Sequence, residues 1–113
     1  MRILAKPVKL AELRPLAEKI FGDLVKGVVD IKRELVAIDA GLHVDLAEML
    51  VAQGSQGADL WGFDIFPERT GDDWLEFDSL INIKPLTGNR SRAIENPAVR
   101  QQAAAIIKKF IIP

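Results

Sequence analysis

The sequence contains no cysteine, which excludes a disulfide framework, a thiolate metal site and a cysteine nucleophile. Histidine is nearly absent too: His43 is the only one, and no serine or second histidine stands near it in a recognisable catalytic motif. Neither sign of charge is in excess, with 15 Lys and Arg against 16 Asp and Glu, a net charge of −1 and a pI of about 5.8. No overall basic field therefore draws the chain to nucleic acid or to a membrane. No stretch approaches the ~18 apolar residues that a membrane span requires. The first residues, MRILAKPVKLAELR, are charged at positions 2, 6, 9, 12 and 14, where a signal peptide would be apolar. These absences predict a soluble, cytoplasmic protein. What remains is 113 residues, 49% hydrophobic and 27% charged, the size and composition of one globular domain spanning residues 1–113.

Along the chain, residues 2–5 suit a short edge strand stopped by Pro7. Residues 10–26 carry Leu10, Leu13, Leu16, Ala17, Ile20, Leu24 and Val25 at three- and four-residue spacing, which predicts a helix. Residues 28–38 alternate as a strand. Asp45 and Glu48 have capping-box spacing ahead of the apolar stripe Leu46, Met49 and Leu50, and Gly54 suits the C′ position. Asn96-Pro97 reads as an N-cap followed by proline at N1 of a last helix, with Ala98, Ala103, Ile106, Ile107 and Phe110 on its buried side. No internal repeat or linker divides the chain. The order helix, strand, short helix, strand, strand, helix predicts an α+β two-layer sandwich. In it a small, mainly antiparallel sheet has helices packed on one face.

The most informative stretch is DLWGFDIFPERTGDDWLEFDSLINIKP, residues 59–85. Its alternation puts Trp61, Phe63 and Ile65 on one face of the first strand, and Leu75, Phe77, Ser79, Ile81 and Ile83 on the same face of the second. The tightest register that keeps the apolar sets together pairs Ile65 with Phe77, which places Asp64 across from Asp78 with Glu76 beside them. Like charges directly opposite are unfavourable, so a positive group is expected there.

Three constellations carry chemistry. Asp64, Glu76 and Asp78, with Asn82, offer hard oxygen ligands for Mg²⁺ or another divalent cation, and thereby hydrolysis of a phosphate ester; the plain alternative is a charged outer strand face neutralised by Lys84 or an arginine. His43 stands two residues before Asp45. It suits a general acid or base, or a partner of the strand carboxylates at a metal, or simply a connector histidine that bonds a backbone carbonyl. The loop Thr87-Gly88-Asn89-Arg90-Ser91-Arg92 offers Asn89, Arg90 and Arg92 to an anion, or returns an arginine to the carboxylate face as its counter-charge. The consensus phosphate-loop motifs are absent. Trp61 and Trp74 lie at strand ends, either exposed beside a polar patch or packed over a turn.

The phrases VVDIKRELVAI, GLHVD, GSQGADLWGFDIFPE, WLEFDSLINIKP and GNRSR, taken together, resemble a family of small uncharacterised bacterial and archaeal proteins, a domain-of-unknown-function family. The resemblance runs over nearly the whole chain. It implies a free-standing domain and no assigned activity.

Two readings of function follow. In the first, the protein is a non-enzymatic binding or assembly module that uses the polar face of its sheet for a small anion or a protein partner. It needs no cofactor, and residues 2–5 or the strand containing Val28 provide an edge for a two-fold dimer. In the second, it is a metal-dependent hydrolase or nuclease built on Asp64, Glu76, Asp78 and His43. Nucleic-acid binding has only the GNRSR loop in its favour.

Overall fold

The computed structural model describes Met1–Pro113. Its strands are β1 (Arg2–Ile3), β2 (Val8–Lys9), β3 (Val25–Asp30), β4 (Leu35–Ile38), β5 (Leu60–Ile65), β6 (Leu75–Glu76) and β7 (Ile111–Ile112). Its helices are α1 (Arg14–Ile20), α2 (His43–Ala52) and α3 (Pro97–Phe110). Five strands form one antiparallel sheet in the order β1-β4-β3-β5-β6, while β2 and β7 pair in parallel as a separate ribbon. The molecule is an α+β fold.

Local chemistry explains where the elements begin and end. The helix expected over residues 10–26 is shorter: a 3-10 turn, Leu10–Leu13, leads into α1 with Pro15 in its first turn. The amides of Phe21 and Gly22 both close on the Ala17 carbonyl, and Gly22 takes a left-handed φ of 92°. The β-branched residues that follow, Val25, Val28 and Val29, then favour a strand. The strand expected over residues 28–38 is a hairpin. Asp30 ends β3 because its carboxylate accepts the amides of Lys32 and Arg33, at 2.9 and 3.0 Å, and so bends the chain back. Its other oxygen accepts the Ser55 hydroxyl at 2.6 Å, which satisfies a fully buried acid. β3 therefore lies in the middle of the sheet, and the Val28 strand is not an edge available to a second copy. The edges are β1 and β6, two residues each.

The core has two parts. On one face Val25, Val29, Val36, Ile38, Trp61, Phe63 and Ile65 meet Leu13 and Ala17 from the α1 side and Ala103, Ile106 and Ile107 from α3. Trp74 joins this cluster, 1% exposed, so it belongs to the core and not to a surface patch. On the other face Val28, Ala37 and Leu60 pack against Leu46 and Leu50 of α2. Two of the helices cover the expected face, and α2 covers the opposite one. Fully burying a leucine contributes about 1.5–3 kcal/mol, so Leu46 and Leu50, with Ala47 and Met49 packed beside them, anchor this short helix to the sheet. As a result β5 is buried along its whole length, with no solvent-facing side.

Of the residues expected in the core, Ile20 and Ile83 are 45% and 40% exposed. Ile20 is the last residue of the shortened α1, and Ile83 follows a 3-10 turn, Leu80–Asn82, where a strand was expected.

Candidate functional site

The alternation holds only as far as Glu76, and the register differs by two residues. β5 pairs Ile65 with Leu75 and Asp64 with Glu76. The turn closes early because the Phe66 amide bonds the Trp74 carbonyl at 2.8 Å while the Trp74 indole enters the core. Asp78 is therefore not the cross-strand neighbour of Asp64. Beyond Glu76 the chain leaves the sheet, and the Ser79 amide bonds the Arg92 carbonyl instead, at 3.0 Å.

Asn82 takes the place of the missing strand. Its side-chain carbonyl accepts the Gly62 amide at 2.8 Å, and its amide group donates to the carbonyls of Gly62 at 3.0 Å and Arg92 at 2.8 Å. Gly62 allows this because a Cβ there would lie 2.5 Å from Ser79 Cβ and 2.6 Å from Ser79 Oγ. Ser79 is thus pressed onto the same sheet face as Asp64, two residues along β5.

The acidic residues are separately committed. Glu76 pairs with Arg69 at 2.8 Å and Asp78 with Arg92 at 2.7 Å. All four side chains are about half exposed, so each pair contributes about 0–1 kcal/mol. Arg92 supplies a counter-charge to the acidic stretch, as one reading of the loop required, but it does so at Asp78 and not at Asp64. Across β3 the residue directly opposite Asp64 is Lys26. Its ammonium lies 5.1 Å from the centre of the Phe21 ring.

Asp64 and His43 do converge. They are 8% and 7% exposed, and His43 Nε2 lies 2.9 Å from the Phe63 carbonyl and 3.1 Å from Asp64 Oδ1. A carbonyl oxygen only accepts, so Nε2 carries a proton and directs it there. Asp64 Oδ1 lies beside the ring without a directed hydrogen bond, and it is one of two buried side-chain polar atoms with no partner. The other is Trp61 Nε1. The connector reading of His43, bonded to a backbone carbonyl, describes its geometry.

The loop at residues 87–92 is built around Asn89, which is buried. Its amide group donates to the carbonyls of Asn82, Ser91 and Ala93, and its side-chain carbonyl accepts the Glu95 amide. Asn89 is thus fully used in holding the loop. The amides of Arg90 and Ser91 point inward to Glu95 at 3.1 and 2.8 Å, so a protein carboxylate already fills the anion-binding turn. Hydrogen bonding by Ser91, then the Arg90 and Ser91 amides and the Arg90 charge, hold the Glu95 carboxyl below its usual range despite an opposing desolvation effect. The Arg90 side chain is exposed and enters no ion pair.

One hollow gathers the remaining polar groups. It has a volume of about 130 Å³ and is lined by Lys26, Leu42, His43, Val44, Ser79 and Arg92, together with Leu80 and Ile81. No acid lines it, and two of its walls are cationic. It opens at the first turn of α2, where the N-cap Leu42 provides no side-chain bond, its carbonyl takes the Asp45 amide at 3.2 Å, and the one acid of the turn, Asp45, does not line the hollow. Of its polar groups, His43 and Arg92 stand out in the sequence. Lys26 does not, because the spacing over residues 10–26 predicts a helix; its place opposite Asp64 becomes visible once the strand begins at Val25. Ser79 was assigned to the apolar face and gave no signal. No three His, Asp or Glu side chains converge on a point that would hold a metal ion.

Comparison with protein families gives a match to the model described as "Protein of unknown function (DUF5674)", over residues 2–110. The chain belongs to the DUF5674 family. The match covers every element except the carboxyl-terminal ribbon strand β7. No curated protein and no solved structure matches the chain significantly. Family membership thus accounts for the set of phrases noted in the sequence, and DUF5674 carries no activity to transfer. No helix is long and apolar enough to cross a membrane.

Proposed function

We propose that the protein is a non-enzymatic binding module whose ligand is a small oxyanion, held in the hollow at the amino end of α2. The observation that supports it is the composition of that hollow: Lys26, Arg92 and the His43 ring meet the uncapped first turn of a helix, and no acid lines it. Helix amino ends favour anions through their free amides and the positive end of the helix dipole. Arg92 brings a planar donor set suited to phosphate or carboxylate, and its exposed pairing with Asp78 is weak enough to exchange. The hydrolase reading fares worse, because Glu76 and Asp78 each pair with a different arginine and do not converge with Asp64 on one point.

The reading predicts that phosphate or sulfate raises the melting temperature, with sodium chloride at matched ionic strength as control. A ligand at about a hundred times its dissociation constant adds about 2.7 kcal/mol, and each kcal/mol is worth about 3–6 °C for a domain of this size. Lys26→Met and Arg92→Met should each reduce the shift, and the double variant should remove it. A melting temperature that phosphate leaves unchanged, or a shift that survives in the double variant, would overturn the reading.

A further inference from the structure

Farther along α2 lies a second, larger hollow of quite different character. It has a volume of about 430 Å³, within the range of roughly 300–1,000 Å³ typical of small-molecule sites. Its walls are Ala47, Val51, Ala52, Leu60 and Ile81, and Lys84 is its only cation. Val51 is 50% exposed, so apolar surface is left facing water inside a concave site.

Lys84 is the unusual member. Its ammonium donates to the Ile81 carbonyl at 2.8 Å and lies 4.9 Å from the centre of the Trp61 ring. It enters none of the six ion pairs of the molecule. Glu48 lines the same hollow but does not pair with it. An ammonium has three N–H donors. Here a half-buried one has a single acceptor and a ring face. Burial pushes its pKa down, which marks a charge poorly solvated by its surroundings.

The chemistry that completes such a site is specific. Apart from Glu48, which is exposed and does not pair with it, Lys84 is the only charged group in this hollow, so one negative charge suits it; a phosphate dianion would add uncompensated charge beside Glu48 and the hydrocarbon walls. The body of the ligand must be apolar to replace water along Ala47, Val51 and Ile81. We propose that this hollow binds a small monocarboxylate with an apolar body, its carboxylate on Lys84 and its hydrocarbon against Ala47, Val51, Leu60 and Ile81. The site shares no charged residue with the oxyanion hollow and stands or falls independently of it.

The test is a titration of the intact chain with hexanoate, followed by amide chemical shifts, with hexanol as the uncharged probe of the same length. Hexanoate should give saturable shifts at Ala47, Val51 and Ile81 and bind about ten- to a hundredfold more tightly than hexanol, the value of one charge-assisted hydrogen bond. Lys84→Met should abolish that preference while hexanol binding persists, and Lys84→Arg should keep it. Ala47→Phe, which fills the hollow, should remove binding of both. If Lys84→Met does not fold, Lys84→Arg and Ala47→Phe decide the matter. The proposal is overturned by an absence of saturable shifts, by equal affinity for hexanoate and hexanol, by a preference that survives Lys84→Met, or by shifts confined to Lys26 and Arg92.

Discussion

At the scale of the residue, Asn82 does most to explain why the second half of the acidic stretch is not a strand. Its carboxamide offers Gly62 both an acceptor and a donor, which is what a neighbouring backbone would offer, so β5 loses nothing when β6 ends at Glu76. Asn82→Ala should leave the Gly62 amide and carbonyl without partners in a buried place, while the Arg92 carbonyl keeps the Ser79 amide. Each such loss costs about 1–3 kcal/mol, and some relaxation is available, so a total of about 2–5 kcal/mol is expected in a urea melt. A change below 1 kcal/mol would mean that water replaces the side chain freely. Other single residues were legible in advance: Asn96 caps α3 by accepting the amides of Ala98 and Val99, and Gly54, one residue past the Gln53 C-cap of α2, has φ of 106°. Those signals are local, set by a side chain and the next few amides. Asn82 is twenty residues from Gly62, and nothing in its neighbourhood announces what it bonds.

At the scale of the element, α2 decides the character of the polar face. Its apolar stripe was legible from Leu46, Met49 and Leu50, because a helix writes its buried side into a three- and four-residue period. Which face of the sheet receives that stripe is not written in the helix. A weaker signal lay in the strands: Val28 and Val29 are adjacent, and Leu60 precedes Trp61, so both parities carry large apolar side chains. A strand with one wet face would not spend two of them that way. Leu46, fully buried between α2 and Val28, should cost about 2–5 kcal/mol when truncated to alanine. Leu42, 55% exposed at the helix start, should cost less than about 0.5 kcal/mol. Equal effects in chemical denaturation would mean that α2 is only loosely held, and with it the hollows on either side. The helix also explains why the acidic site was only half legible: the sheet alone gave Asp64 its face, but α2 brings His43 onto it and excludes water from both.

At the scale of the whole molecule, charge is nearly balanced, and most ion pairs are exposed and therefore weak. Two groups give the pH dependence a definite shape. Glu95 titrates below its usual 4.5 in the folded chain, because Ser91 and the Arg90 amide favour its charged form. The unfolded chain therefore takes up that proton first as pH falls. The stability Glu95 contributes is full above about pH 4.5 and disappears as pH drops through the lower folded value. Lys84 behaves in the opposite sense at the other end of the scale. Its folded pKa lies below 10.5 because burial disfavours the ammonium. As pH rises toward 10.5 the folded chain releases this proton while the unfolded chain still holds it, so stability increases through that window. Below the window the folded state bears the full cost of a poorly solvated charge. Other lysines change both states alike, so the clean measurement is the difference in urea stability between the wild type and Lys84→Met, followed from neutral to alkaline pH. That difference should move in favour of the wild type as pH rises. A flat difference would mean that the Lys84 ammonium is well hydrated in the folded chain; the apolar hollow beside it would then offer a carboxylate no more than an ordinary surface lysine does.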